Sequence, residues 1–139
     1  MSNKQIAERL LVEVWNKGNL SLCDELLTAD YQNHDANNPF AEEKGPEGYK
    51  KLVGMYLEAF PNTTFTIRDQ IDSGDKVVTR WTVEGTHKGT LMGIPATGKD
   101  AKVTGINIDR FVDGKVAESW GNWDALGMMR QLGVIPEAG

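Results

Sequence analysis

The sequence is poor in cysteine, in long apolar runs and in clustered positive charge, and each scarcity excludes a class of protein. Cys23 is the single cysteine among 139 residues, so no intramolecular disulfide can form and a reducing compartment is expected. No stretch approaches the roughly 20 apolar residues of a membrane span, and the N-terminus lacks the apolar core of a signal peptide. The 15 Lys and Arg are scattered in a chain of net charge −5, unlike a nucleic-acid-binding surface. We therefore expect a cytoplasmic protein without nucleic-acid or membrane partners.

Metal and cofactor motifs are absent from the sequence as well. The two histidines, His34 and His87, are far apart and show no HxH or HxxxH spacing, so a metal site is not predicted. No glycine-rich phosphate loop and no G-x-S-x-G nucleophile motif occurs. The sequence therefore carries no motif for a metal or a phosphate-bearing cofactor, and the family resemblance described below implies that none is used.

What the chain does contain is a change of hydrophobic period near its middle. Helical spacing predicts amphipathic helices at residues 3–17, 20–27 and 46–60, the last opened by Pro46. From residue 62 the period becomes 2, which predicts strands at 63–71, 77–87, 101–112 and 115–123, with a short strand near Tyr31 as a further possibility. The pattern indicates one domain over residues 1–139, of α+β class, with helices on one face of a curved antiparallel sheet that encloses a concave interior.

Alternation along the strands predicts which side chains share that interior. On the last strand, Trp120, Asn122 and Asp124 fall on the face of Val116, and we expect them to point inward together. On the second long strand, Trp81 shares a face with His87. A bulge near a strand end would reverse such an assignment.

Asp124 has two interpretations from the residues alone. A carboxyl group in a pocket walled by tryptophan is poorly solvated when ionised, which suits a proton-transfer group. Asp124 also precedes the helical run ALGMMRQLG, and aspartate is a preferred helix N-cap. Arg110 likewise has a structural alternative, an ion pair with Glu118 across the last hairpin.

Several segments resemble, in order and spacing, the SnoaL-like polyketide cyclase family of the NTF2-like superfamily. They are WNKGNL, YQNHD, AFPNTTFTI, GDKVVTRWTVEGTHKGTLMGIPATGK, DRFVDGKVAESWGNWD and LGMMRQLGV. The resemblance implies a cone-shaped barrel with three N-terminal helices, a deep hydrophobic pocket and a homo-oligomer, a dimer or tetramer. It also implies cofactor-independent intramolecular aldol condensation, or isomerisation, of a hydrophobic carbonyl-bearing small molecule.

The resemblance assigns roles to particular residues. It implies that Asp124 is the catalytic acid/base and that Arg110, where the antibiotic cyclases have a histidine fourteen residues before the aspartate, stabilises negative charge. His34 and His87 match pocket-lining positions of the wider family, and Trp81, Trp120 and Asn122 complete the predicted substrate-binding set. Two other functions remain open: a non-catalytic ligand-binding or dimerisation module, and epoxide hydrolysis, which would need an Asp–Arg–Asp trio.

Overall fold

The computed structural model describes residues 1–135, and its helices lie where the sequence pattern predicts them. Helix α1 (Asn3–Arg9) opens on a capping box between Ser2 and Gln5 and continues as a π-helical segment, Leu10–Asn16. A 3₁₀ turn at Leu20–Leu22 leads into α2 (Cys23–Leu26). Two further helices follow, α3 (Pro46–Ala59) and α4 (Ala125–Gln131).

The strands form a single five-stranded sheet in the order β1-β5-β4-β3-β2. Their bounds are Leu27–Asn33 (β1), Thr64–Ser73 (β2), Lys76–Thr86 (β3), Asp100–Val112 (β4) and Lys115–Trp123 (β5). The pairs β2–β3, β3–β4 and β4–β5 are antiparallel, whereas β1 joins the far edge parallel to β5. The α+β fold, with three N-terminal helices on a mainly antiparallel sheet, is therefore confirmed.

Strand β4 shows how the sheet separates its two faces. Its inward residues are mostly small or apolar and carry two polar exceptions: Ala101, Val103, Gly105, Asn107, Asp109 and Phe111. Its outward residues include exposed Ile106 and Ile108. Helices α1 and α3 cover the inward face, and the space left between helices and sheet is where a ligand site can form.

Trp81 needs a glycine opposite it. Trp81 on β3 pairs directly with Gly105 on β4, and a Cβ at residue 105 would lie 2.3 Å from the indole ring. Because no side chain fits there, the indole ring packs directly against the backbone of β4 at Gly105. Phe65 also contacts this ring, in an edge-on arrangement with ring centroids 4.9 Å apart.

A bulge in β5 reverses the predicted alternation of that strand. Phe111 pairs with Val116, but Arg110 pairs with Glu118, so Ala117 is an extra residue in the ladder. Val116 therefore points inward, yet Ser119, Gly121 and Trp123, rather than Trp120 and Asn122, share its side of the sheet. The predicted inward face of β5 was wrong for this reason.

Among residues 1–135, no helix has both the length and the apolar character needed to cross a membrane.

Candidate active site

A cavity lies between the helices and the inner face of the sheet. The space open to the centre of a water molecule is about 130 Å³, and most of the surface around it is apolar. Its walls are built largely from aromatic side chains: Trp15, Tyr31, Tyr49, Tyr56, Phe60, Phe65, Trp81 and Trp123. Such walls suit a flat, hydrophobic small molecule.

Two polar clusters border this cavity, and the one around Asp35 is the more accessible to solvent. Asp35 follows β1 and is half-buried; its Oδ2 accepts a hydrogen bond from Trp123 Nε1 at 3.0 Å, and its Oδ1 accepts one from the backbone N–H of Asn37 at 2.9 Å. Burial, and then the charge of Asp35, raise the pKa of the nearby Tyr56 hydroxyl to about 12. Asp35 is thus a positioned carboxylate beside a hydroxyl that stays protonated at neutral pH.

Glycine at position 121 leaves space beside that carboxylate. A Cβ on Gly121 would lie 3.0 Å from Asn107 Oδ1 and 4.0 Å from Asp35 Cβ. Asn107 and Gly121 are cross-strand partners on the inner face. The amide of Asn107 and the Asp35 residue therefore flank the same small space in the cavity wall.

Asp109 forms a second polar cluster, which is nearly fully buried. Its side chain is 6% exposed and borders the cavity, and the Ser119 hydroxyl donates to its Oδ1 at 2.5 Å. Burial raises the pKa of Asp109 to about 6, and the Ser119 hydrogen bond opposes that rise. Tyr31 lies beside this pair and accepts a hydrogen bond from Asn33 Nδ2 at 3.1 Å, while burial raises the pKa of its own hydroxyl.

The charge of the cavity lining has one sign. Three acidic residues border the cavity, Asp35, Glu84 and Asp109, and no lysine, arginine or histidine is among the lining residues that the structure describes. An anionic group on a ligand would therefore meet repulsion without a cation to offset it.

Of the predicted substrate-binding residues, Trp81 is in the cavity wall, whereas His34 and Trp120 lie together beside the cavity. Trp81 lines it, and Trp120 borders it, although the Trp120 ring stacks on His34 with centroids 5.4 Å apart. His34 Nε2 lies 2.7 Å from Glu118 Oε2, and Glu118 Oε1 accepts from Arg110 Nε at 3.0 Å. The ion pair of Arg110 with Glu118 is confirmed, and the His34 and Arg110 hydrogen bonds lower the Glu118 pKa.

Asn122 and Asp124 are both exposed and lie outside the cavity lining. The bulge at Ala117 explains the orientation of Asn122, which pairs with exposed Ile106. Asp124 is the N-cap of α4, where its Oδ1 accepts from the backbone N–H of Gly127 at 2.8 Å. The expectation that these two side chains point inward is corrected.

Arg110 and Asp124 are also far from each other. Arg110 pairs with Glu118, and six residues of extended chain, roughly 20 Å, separate Glu118 from Asp124. Residues fourteen apart on this hairpin face one another at Asn107 and Gly121 instead. The predicted pair therefore does not form one site.

His87 is buried but does not border the cavity. Its ring stacks on Phe60, with centroids 5.2 Å apart, and Phe60 itself forms the cavity wall. The His87 Nδ1 accepts from the backbone N–H of Thr97 at 3.2 Å, which ties the β3–β4 connection to the end of β3. The predicted inward orientation was right, but an aromatic ring separates this histidine from the cavity.

Asp35 and Asp109 are the ionisable groups that sequence reasoning missed. Asp109 had a detectable signal, because it and Asn107 are polar residues on an otherwise apolar face of β4. Asp35 lies in the segment YQNHD that resembles the family, but its polar loop gives no local sign that it meets Trp123, a contact made through tertiary structure.

The geometry also bears on a metal site, which the sequence does not predict, and on epoxide hydrolysis, which it leaves open. Among residues 1–135, no group of three or more His, Cys, Asp or Glu side chains is placed to hold a metal ion. No arginine is among the described lining residues, so the Asp–Arg–Asp trio of an epoxide hydrolase is not assembled there.

Comparison with known proteins places this architecture in a family. The chain is 31% identical over 134 residues to aklanonic acid methyl ester cyclase DnrD of Streptomyces peucetius, covering 96% of this chain and 92% of the relative. It is 29% identical to nogalonic acid methyl ester cyclase of Streptomyces nogalater, covering 88% and 92%. The solved structure of TsrD from Streptomyces laurentii superposes with a TM-score of 0.85 at 30% identity, covering 97% and 99%.

The family model described as SnoaL-like polyketide cyclase matches residues 5–132. That match includes every helix and strand named above apart from the first two residues of α1. The chain therefore belongs to the SnoaL-like polyketide cyclase family.

Proposed function

We propose that this protein is a polyketide cyclase that closes a ring of a neutral, esterified polyketide by intramolecular aldol condensation. The observation that carries the proposal is the position of Asp35, a carboxylate held by two N–H donors at the wall of an aromatic cavity. The names of the ester cyclase relatives support the substrate class.

Asp35 is the residue we propose as the base. Its carboxylate removes a proton from the carbon between two carbonyl groups, and the C–H electron pair becomes an enolate. The enolate carbon then attacks a ketone of the same molecule, which forms the C–C bond and moves the C=O pair onto oxygen. The resulting alkoxide takes the proton from Asp35, so the base is regenerated and the product is an isomer of the substrate.

The walls of the cavity support the substrate class in a second way. With acidic residues and no cation among the described lining residues, the cavity disfavours a free acid and accepts its ester. Trp81 adds a donor, since its buried indole N–H has no hydrogen-bond partner in the described chain. We propose Trp81 and Trp120 as substrate-binding residues.

The remaining predicted residues keep their roles as predictions. Asp124 and Arg110 stay predicted catalytic residues, but the N-cap position of Asp124 and the ion pair of Arg110 give that role no support. His34, His87 and Asn122 stay predicted substrate-binding residues, and His87 contacts an aromatic side chain of the cavity wall.

We also propose a homo-oligomer in the cytoplasm. Ile106, Ile108 and Val112 are 49%, 37% and 42% exposed on the outer face of β4, an apolar row that a second copy would cover. Light scattering of the purified protein tests the oligomer, and loss of association in an Ile106→Lys, Ile108→Lys variant would locate the interface.

The test of the proposed function is turnover of aklanonic and nogalonic acid methyl esters, followed by chromatography of the cyclised isomers. We expect turnover of an ester, weaker binding of the free acid, and a fall in kcat of about 10²- to 10⁴-fold in Asp35→Asn. Tight binding of the esters without any turnover would favour a ligand-binding module instead.

A further inference from the structure

The most deeply buried carboxyl group of the cavity, that of Asp109, has no part in the reaction proposed above. It lies on the inner face of β4 between Asn107 and Phe111, with Val77 of β3 on one side and Ser119 of β5 on the other. It is 6% exposed and borders the cavity. A buried carboxyl at a ligand cavity needs a physical reason, because burying its charge is costly.

Nothing in the described surroundings neutralises a charge on Asp109. The hydrogen bond from Ser119 is the one that the described residues provide. The titratable groups that face it are Tyr31 of β1 and Tyr49 of α3, and burial raises the pKa of both hydroxyls, so both stay neutral. Arg110 and Glu118 are neighbours along their strands but pair on the opposite face of the sheet.

These surroundings stabilise the protonated form relative to the same group in water. Burial raises the pKa of Asp109 to about 6 even though the Ser119 bond opposes the rise, so the protonated form predominates below that pH. A protonated carboxyl is a hydrogen-bond donor as well as an acceptor. Since the Ser119 hydroxyl engages Oδ1, the other carboxyl oxygen, which accepts no hydrogen bond from the described residues, can carry the proton.

Asp109 is also at a distance from Asp35, the proposed base, that allows one ligand to contact both carboxyl groups. Asp35 flanks the inner-face pair Asn107–Gly121, and Asp109 is one inner-face position further along β4, roughly 7 Å from Asn107. A ligand that places an acidic carbon against Asp35 can extend an adjacent carbonyl oxygen toward Asp109.

We propose that Asp109 is a further catalytic residue, a neutral carboxylic acid that donates a hydrogen bond to the substrate carbonyl oxygen on which the enolate charge develops. The catalytic role of Asp109 rests on the proposed function. Its hydrogen bond to a carbonyl oxygen of a bound ligand is inferred from the cavity alone. During enolisation the proton stays shared between Asp109 and that oxygen, so Asp35 is the group that changes charge. A donor aimed at developing negative charge is the general requirement for stabilising such a transition state.

The experiment measures binding of aklanonic acid methyl ester by titration calorimetry between pH 5 and pH 8. We expect the wild-type affinity to fall at least about tenfold as Asp109 ionises. In Asp109→Asn the side-chain amide donates a hydrogen bond at every pH. The affinity should therefore not change with pH, apart from any change caused by ionisation of the ligand itself. In Ser119→Ala the midpoint should move to higher pH, because the hydrogen bond that opposes protonation is gone.

Infrared difference spectra give a readout that needs no ligand. We expect a protonated-carboxyl band at pH 5 that disappears in Asp109→Asn and persists to higher pH in Ser119→Ala. An Asp109→Asn variant with the wild-type pH profile of binding and an unchanged infrared band would overturn the inference.

The two proposals fail in different ways. Turnover that is lost in Asp35→Asn but unaffected in rate and pH profile by Asp109→Asn overturns the role of Asp109 and leaves the cyclase intact. Binding that depends on Asp109 and pH, in a protein that turns over no ester, supports the carbonyl site and refutes its catalytic use.

Discussion

The indole N–H of Trp123 donates to the carboxylate of Asp35 at 3.0 Å, joining two residues that are 88 positions apart in the chain. Trp123 ends β5, and Asp35 follows β1, the strand parallel to β5. The ring of Trp123 meets Tyr56 edge-on, with centroids 6.0 Å apart. One tryptophan thus orients the proposed base and forms the aromatic wall next to it.

Trp123→Phe should separate these two roles. The ring is kept and the donor to Asp35 is lost, so we expect a lower kcat with little change in KM, and a loss of about 1 kcal/mol in the free energy of unfolding. Steady-state kinetics and urea unfolding measure both. Trp15→Phe is the matched control, because it removes an indole bond to Tyr49 at 2.9 Å without contacting Asp35. A raised KM at unchanged kcat would mean that Trp123 serves only as a wall.

Asp124→Ala decides between the two interpretations of that carboxylate. As the N-cap of α4 it should contribute about 0.5–2 kcal/mol of stability, and its removal should leave kcat close to wild type. Asp124→Asn preserves capping and should be near neutral in both measurements. A large fall in kcat in both variants, at unchanged stability of the Asn variant, would instead support the catalytic role implied by family resemblance.

Stability should depend on pH through Asp109. Its pKa is about 6 in the folded protein, above the ~3.9 of a free aspartate. Because the pKa is higher in the folded protein, the neutral carboxyl group contributes its full stability at pH values below the pKa of the unfolded chain. This contribution is lost as the pH rises through the pKa of the folded protein. The loss amounts to at most about 3 kcal/mol by pH 8.

Asp109→Asn isolates this effect, because the other titrating groups cancel in the comparison. Between pH 4 and pH 8, the variant should gain stability relative to wild type in urea unfolding. A difference that is constant with pH would contradict the raised pKa.

Gly105→Ala tests the close packing of Trp81. The added Cβ would lie 2.3 Å from the indole ring, so the ring must move, and we expect a loss of about 1–3 kcal/mol with weaker ester binding. Gly54→Ala on α3 is the control: its Cβ meets nothing within 4 Å, and alanine should stabilise the helix. Equal stability of the two variants would show that Trp81 has room to shift.

Most of the helices and strands follow from the sequence, because the hydrophobic period is a local property. Strand β1 is the exception, since the pattern near Tyr31 indicates no more than a short strand. The stripe from Tyr49 to Phe60 could pack only as a helix on a broad surface, and the alternation in β3 and β4 matches the burial observed. The resemblance of several segments to the SnoaL-like family was also visible in the sequence, and it predicted the observed fold correctly.

Tertiary structure decided which polar residues face the cavity. A single extra residue at Ala117 reversed the face of β5, since side chains alternate with a period of 2 and one insertion moves every later residue to the other side. Trp123 therefore points inward and Asp124 outward, opposite to the prediction. Asp35 entered the site because β1 pairs parallel to β5, a contact between distant parts of the chain that no local pattern encodes.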